Sequence, residues 1–589
     1  MHFLENPPRH FFFTGKGGVG KTSVACATAL HLARSGKRVL LVSTDPASNV
    51  GQVLKTRIGD AITPIESVPG LDAIEIDPDE AARAYREKII APVRLILPAR
   101  EIEAITEQLS GSCTTEIASF NEFTDLLADP SSTAAYDHVI FDTAPTGHTI
   151  RLLQLPGSWT SYLDDGLGDA SCLGPMAGLE KSRTTYRAAV ERLTDREATR
   201  IVLVARAQGS TLDEVARTVD ELSELGIRPS HLVVNGVMPP GDSDDLLRHA
   251  IQEREASALA ELPACLAELE CDRIGLKVEN MVGLPALDLL LAEHDTAPAP
   301  DAPLLPDLML PSLAELVDDL ATEDRGLVMT MGKGGVGKTT IAAALAVALI
   351  ARGKRVLLTT TDPAAHLSEA LGGGLPGLEV TSIDPHQATS DYREHVMRTK
   401  GAALDEAGRA ALAEDLMSPC TEEIAVFQQF SRAVNRARDQ FVIMDTAPTG
   451  HTLLLMDATG SYHRDITRHL DQAQLARVTT PLMRLQNPDY TKIIVVTLAE
   501  TTPVLEAKGL VDDLARAEIT PWAWVVNASL AAARPSDPFL VRRARRELEQ
   551  LAAVQEVAPR MAVVPMQVEE PVGVELLAGL TQDASLAAI

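Results

Sequence analysis

Two octapeptides carry the residues most able to do chemistry: Gly15-Lys16-Gly17-Gly18-Val19-Gly20-Lys21-Thr22 and Gly332-Lys333-Gly334-Gly335-Val336-Gly337-Lys338-Thr339. Each follows a short apolar run and opens a helix-like segment, the context a phosphate-binding loop requires. Glycines let backbone N–H groups turn toward phosphate oxygens, and the helix N-terminus adds positive potential. Lys21 and Lys338 are expected at the β- and γ-phosphates of a nucleotide. Thr22 and Thr339 are expected on Mg²⁺, with Ser23 and Thr340 completing the binding segment. A glycine-rich turn without a ligand is the bland alternative, and its recurrence in one chain weighs against it.

Carboxylates stand at matching places. Asp45 and Asp362 follow the second strand-like run of their halves, and Asp142 and Asp445 follow a later one. Carboxylates at the C-terminal ends of parallel strands face the crevice where ligands bind. Asp45 and Asp362 are expected to hold Mg²⁺ and the attacking water, and Asp142 and Asp445 to sense the γ-phosphate. Residue type alone permits the exchange of these roles. Asn235 and Asn527 end later strands as candidate adenine contacts, with a turn-forming asparagine as the alternative.

What positions these groups is one plan used twice. Besides the loops, Asp142-Thr143-Ala144-Pro145-Thr146-Gly147-His148 recurs as Asp445-Thr446-Ala447-Pro448-Thr449-Gly450-His451, and Cys113-Thr114 recurs as Cys420-Thr421, all in the same order. Five prolines at 298, 300, 303, 306 and 311 mark a linker, because proline removes backbone donors and favours extended chain. The expected organisation is a first half over 1–294, a linker over 295–311 and a second half over 312–589. Short apolar, β-branched-rich runs at 10–14, 39–43, 138–141, 201–204 and 231–234 predict strands. Their counterparts lie at 327–330, 356–360, 441–444, 493–497 and 524–526. Runs without alternation fit strands buried on both faces. With helices between them at 23–35, 312–321 and 341–352, the expected class is α/β: two tandem pseudo-symmetric P-loop NTPase domains, each a doubly wound, mainly parallel sheet flanked by helices.

Composition sets limits. The 589 residues exceed one hydrophobic core. A formal charge of −29 argues against a general nucleic-acid binder. The longest apolar stretch, 341–351, is too short to cross a bilayer, and the start carries no signal-peptide pattern. The expected location is therefore the cytoplasm. Six cysteines are too sparse for a disulfide scaffold.

Lys16 and Lys333 mark a deviant form of the phosphate-binding loop, similar to that of the nitrogenase iron protein and of septum-site and plasmid-partition ATPases. Joined to the Asp-Thr-Ala-Pro-Thr-Gly-His segments, it makes the whole chain resemble the arsenite-transporting ATPase family and its sister, the tail-anchored-protein targeting ATPases. The resemblance implies ATP hydrolysis with Mg²⁺, and that each signature lysine reaches the nucleotide on the opposite half. It also implies As(III) or Sb(III) as effector and substrate, bound through Cys113, Cys172 and Cys420. His148, Ser418 and His451 would be further metalloid contacts. The expected partner is a membrane arsenite carrier that holds the protein at the inner membrane, with an arsenic metallochaperone as a second candidate. The halves would pair within one monomeric chain.

The thiol assignment has independent chemistry behind it. Trivalent arsenic and antimony are soft, and thiolates outcompete oxygen ligands for them. Ser418-Pro419-Cys420 reads as an N-cap, a first helical position and a first-turn thiol, and Cys113 is placed equivalently. A helix N-terminus favours the thiolate. Cys26 reads as packing, and Cys265 and Cys271 have no evident role. The alternatives are a tail-anchored-protein targeting factor, a metalloid buffer without hydrolysis, and a partition ATPase. Against the first, no Cys-x-x-Cys pair exists, and segments 158–178 and 460–477 lack a long apolar stripe.

Overall fold

In the computed structural model the apolar runs build two separate sheets. The structure describes residues 1–44, 50–94, 112–128, 130–143, 187–292, 305–362, 367–417, 420–447 and 480–582, together with single positions 98, 102, 106, 109 and 185. The first sheet contains β1 (His10–Thr14), β2 (Val39–Ser43), β3 (Thr63–Pro64), β4 (Leu71–Glu75), β5 (His138–Asp142), β6 (Thr199–Ala205), β7 (His231–Val237) and β8 (Glu270–Gly275). Their order is β3-β4-β2-β5-β1-β6-β7-β8. All pairs are parallel except β3 with β4. The second sheet contains β9 (Gly326–Met331), β10 (Val356–Thr360), β11 (Leu378–Ser382), β12 (Phe441–Asp445), β13 (Thr491–Leu498), β14 (Ala523–Ser529) and β15 (Met561–Pro565), in the order β11-β10-β12-β9-β13-β14-β15.

The expected runs all became strands, with bounds extended by up to three residues at an end. β3, β4, β8, β11 and β15 were not foreseen. β8 and β11 are edge strands; polar residues interrupt both, and side chains are mostly exposed in β11 and exposed at half of the positions in β8, so neither carries an apolar run. In both sheets the chain leaves the first strand toward one edge, then returns to fill the other. The first strand therefore sits where neighbouring connections diverge, which opens a crevice at its C-terminal end.

Helices bury the sheets according to their composition. Lys338–Ala351 is apolar all round and has ten buried residues, as a helix enclosed between sheet and neighbours must be. Lys21–Arg34 fills the same place in the first sheet. On the opposite face of that sheet, Phe12 stacks on Phe141 at 4.4 Å and Phe123 meets Phe141 edge-on at 5.4 Å. Helices Pro78–Val93 and Pro385–Thr399 start alike, with Asp77 and Asp384 capping backbone N–H groups ahead of proline.

Two compact units result. One comprises Met1–Asp242 and Ile251–Pro298; the other comprises Ser243–Ala250 and Ala299–Ile589. Within the second unit, buried Arg248 pairs with Asp537 at 3.0 Å, and Asp245 accepts from the Ser536 hydroxyl at 2.9 Å. Residues 305–311 of the proline-rich stretch form no helix or strand, and the Pro311 carbonyl accepts from Val563 N at 2.8 Å. Among the described residues, no helix is long and apolar enough to cross a membrane.

Helix Leu313–Ala321 is held by a capping box, in which Ser312 accepts from Glu315 N and the Glu315 carboxylate accepts from Ser312 N. Ser312→Ala should lower the stability of the second unit by about 1 kcal/mol. A denaturant midpoint that falls with an unchanged slope would report it.

Candidate nucleotide sites

Each phosphate-binding loop is fixed by the strand next to its own. A Cβ on Gly15 would lie 2.1 Å from the Val204 carbonyl oxygen of β6, and one on Gly332 would lie 2.3 Å from that of Val496 on β13. Both glycines have φ near +150°, a conformation L side chains rarely adopt. The loop therefore lies against the sheet backbone only because nothing projects there.

The loop ends in a hydroxyl–carboxylate pair. Thr22 donates to Asp142 Oδ2 at 2.7 Å, and Thr339 donates to Asp445 Oδ2 at 2.6 Å. Both carboxylates are wholly buried at the ends of β5 and β12. In the second half Thr330 and Thr360 also lie within 3.4 and 3.5 Å of Asp445 as donors. Burial pushes the Asp445 carboxyl up to about 6, with Asp362 adding to the rise and Lys338 and Thr339 opposing it. Asp362, expected as the metal carboxylate, is partly exposed, and its backbone N–H donates to Thr360 Oγ1 at 3.0 Å. The carboxylate that touches the loop threonine is thus Asp445, and its counterpart is Asp142. Asp45 lies outside the described residues.

Hard oxygen donors suit Mg²⁺, and a loop hydroxyl backed by a strand-end carboxylate is the P-loop arrangement for it. The donors fit: Thr22 with Asp142 and Thr339 with Asp445 offer only oxygens. Lys21 and Lys338 are buried, and their ammonium groups donate to the carbonyls of Lys16 and Lys333 at 3.5 and 3.0 Å. Asn235 and Asn527 donate to the loop carbonyls of Val19 and Val336 at 2.8 and 3.0 Å. Their amides therefore brace the loop rather than form turns.

Four acidic residues at the sites were missed from sequence. Glu214 pairs with Lys16 at 2.7 Å, and Glu506 with Lys333 at 2.8 Å. Glu255 accepts from Met238 N, while Glu547 accepts from Ser529 Oγ, Leu530 N and Ala531 N, fixing the chain just after Asn235 and Asn527. Burial raises both of these carboxyls. Register was the available signal: Glu214 and Glu255 stand as far from Asn235 as Glu506 and Glu547 do from Asn527.

Of the thiols, Cys113 is the second residue of helix Ser112–Ala128, and Cys420 is the first of Cys420–Arg436. Each helix packs against the aspartate-capped helix of its own unit. Cys172, His148, Ser418 and His451 lie outside the described residues. Cys26 is core, its thiol pushed up by burial, while Cys265 and Cys271 are free.

Comparison with known proteins matches the anion-transporting ATPase family over residues 8–293, 325–485 and 458–585. The chain belongs to this family. It is an ATPase. Among its relatives, an arsenical pump-driving ATPase of Acidiphilium multivorum is 58% identical over 580 residues, covering 98% of this chain and 99% of that one. An Escherichia coli protein of the same name is 57% identical with the same coverage. A putative arsenical pump-driving ATPase of Halobacterium salinarum is 34% identical over 96% of this chain and 92% of its own.

Asp142→Asn and Asp445→Asn, made singly, should weaken Mg²⁺ dependence or turnover at the altered site about 10- to 100-fold. Mg²⁺ titrations of ATPase rate test this, and an unchanged titration in both would sink the assignment. Glu547→Ala strands three donors and should cost about 1–3 kcal/mol of second-unit stability, seen as a lowered melting midpoint.

Proposed function

We propose that this ATPase drives the extrusion of trivalent arsenic or antimony, binding the metalloid through cysteine thiolates and passing it to a membrane carrier. Near-full-length identity of 57–58% to ATPases named for arsenical pumps carries the reading. The helix-start positions of Cys113 and Cys420 support it, since a helix N-terminus stabilises a thiolate. Cys172 would complete the soft ligand set, with His148, Ser418 and His451 as further contacts.

Hydrolysis in such a site is mainly positioning and charge neutralisation. Lys21 and Lys338 neutralise the phosphates, while Asp142 and Asp445 hold the threonine hydroxyls that would ligate Mg²⁺. When bound, Mg²⁺ neutralises charge developing on the β- and γ-oxygens. Asp45 and Asp362 are then left for water positioning, the exchange of roles that residue type had permitted. Asn235 and Asn527 keep base contact as a second role. Lys16 and Lys333 act on the nucleotide of the opposite half, so closure of the halves around metalloid would stimulate hydrolysis. By linkage, nucleotide tightens metalloid binding in that closed state. The protein works from the cytoplasm at the inner membrane through its carrier. A targeting factor for tail-anchored proteins is the competing reading, and the client segments it needs, 158–178 and 460–477, lie outside the described residues.

Arsenite should raise the ATPase rate of the natural protein. Cys113→Ser, Cys172→Ser and Cys420→Ser should each blunt that rise. Equal stimulation in all four proteins would remove the thiol switch, and absence of stimulation in the natural protein would remove the metalloid reading.

A further inference from the structure

In both halves the signature lysine is occupied at two points by its own half. The Lys16 ammonium lies 2.7 Å from Glu214 on helix Gly209–Glu224, and the Lys16 carbonyl accepts from Lys21 at 3.5 Å. The Lys333 ammonium lies 2.8 Å from Glu506 on helix Thr501–Arg516, and its carbonyl accepts from Lys338 at 3.0 Å. Phosphate oxygens compete with both partners: they offer the signature lysine an anionic oxygen in place of a carboxylate, and the loop lysine an anionic oxygen in place of a neutral backbone carbonyl. A surface ion pair would carry no such weight. These pairs are largely withdrawn from water, with side-chain exposures of 27% and 17% in the first half and 13% and 13% in the second. The same glutamate, at the same distance before the loop-bracing asparagine, makes the contact twice.

We infer that Glu214 and Glu506 are positioning residues that stand in for nucleotide phosphate, holding each signature lysine in its own half until the nucleotide draws it away. The inference rests on the reading that Lys16 and Lys333 act at a nucleotide. Its physical content is a competition. An ion pair that must break before the lysine can act subtracts its strength from the active arrangement and biases the population toward the resting one. Lys21 leaving the Lys16 carbonyl for phosphate loosens the same residue from its other side, so arrival of the nucleotide weakens the hold. The more enclosed pair at Glu506 is screened less by salt and holds harder.

Glu214→Gln and Glu506→Gln keep the shape and remove the charge. At saturating ATP and without metalloid, each should raise the ATPase rate, by about fivefold for Glu506→Gln and less for Glu214→Gln. Glu→Asp at each position keeps the charge and should return the rate toward that of the natural protein. Melting midpoints of all four variants separate loss of fold from loss of the hold. A rate that falls in the Gln variants with an unchanged midpoint would show that glutamate serves the active arrangement. A rate unchanged in both would show that the pair holds nothing back. Either overturns the inference. The metalloid-free readout is independent of the arsenite response, and full hydrolysis by Lys16→Gln and Lys333→Gln would instead locate the failure in the signature-lysine reading.

Discussion

The hydrogen bond between a loop threonine and a strand-end carboxylate depends on parallel register. β1 and β5 run side by side with Phe13 opposite Asp142, and β9 and β12 run with Thr330 opposite Asp445. Because the strands are parallel neighbours, the loop leaving one meets the last residue of the other at the same end of the sheet. The bond at 2.6–2.7 Å follows from that placement. So does burial of the carboxylate, since a strand in mid-sheet is covered on both faces. A sheet in another order would deliver the same residues to different places.

The other flank of the loop is just as constrained. β6 and β13 supply carbonyls that leave no room for a Cβ on Gly15 or Gly332. One strand further out, the asparagines of β7 and β14 take hold of the loop carbonyls, and half-buried Glu255 and buried Glu547 fix the chain beyond them. The loop is therefore braced before any ligand arrives, and little ordering remains to be done when phosphate binds.

Duplication has left the sites alike but not identical. Where the second half sets Thr330 beside its buried aspartate, the first sets Phe13, so one carboxylate gains a hydroxyl neighbour that the other lacks at that position. The pair between signature lysine and glutamate is also more enclosed in the second half. Two sites built from one plan thus surround their reactive groups with different polarity, a physical basis for unequal behaviour in the two halves.

Local chemistry decided what could be read from the chain itself. Glycine spacing, lysine and threonine at the loop end, and unbroken apolar runs are properties of consecutive residues, and they were enough to identify two phosphate-binding loops, the central strands and the α/β class. Helix starts at Cys113 and Cys420 were legible for the same reason. Three features needed the folded chain. Edge strands β8 and β11 are joined to the sheet by backbone hydrogen bonds that leave no mark in side-chain pattern. Asp142 and Asp445 take the threonine because of strand order, which residue type cannot express. Glu214, Glu506 and the segment Ser243–Ala250 find partners far away in sequence, and only packing brings charges so separated within reach of one another.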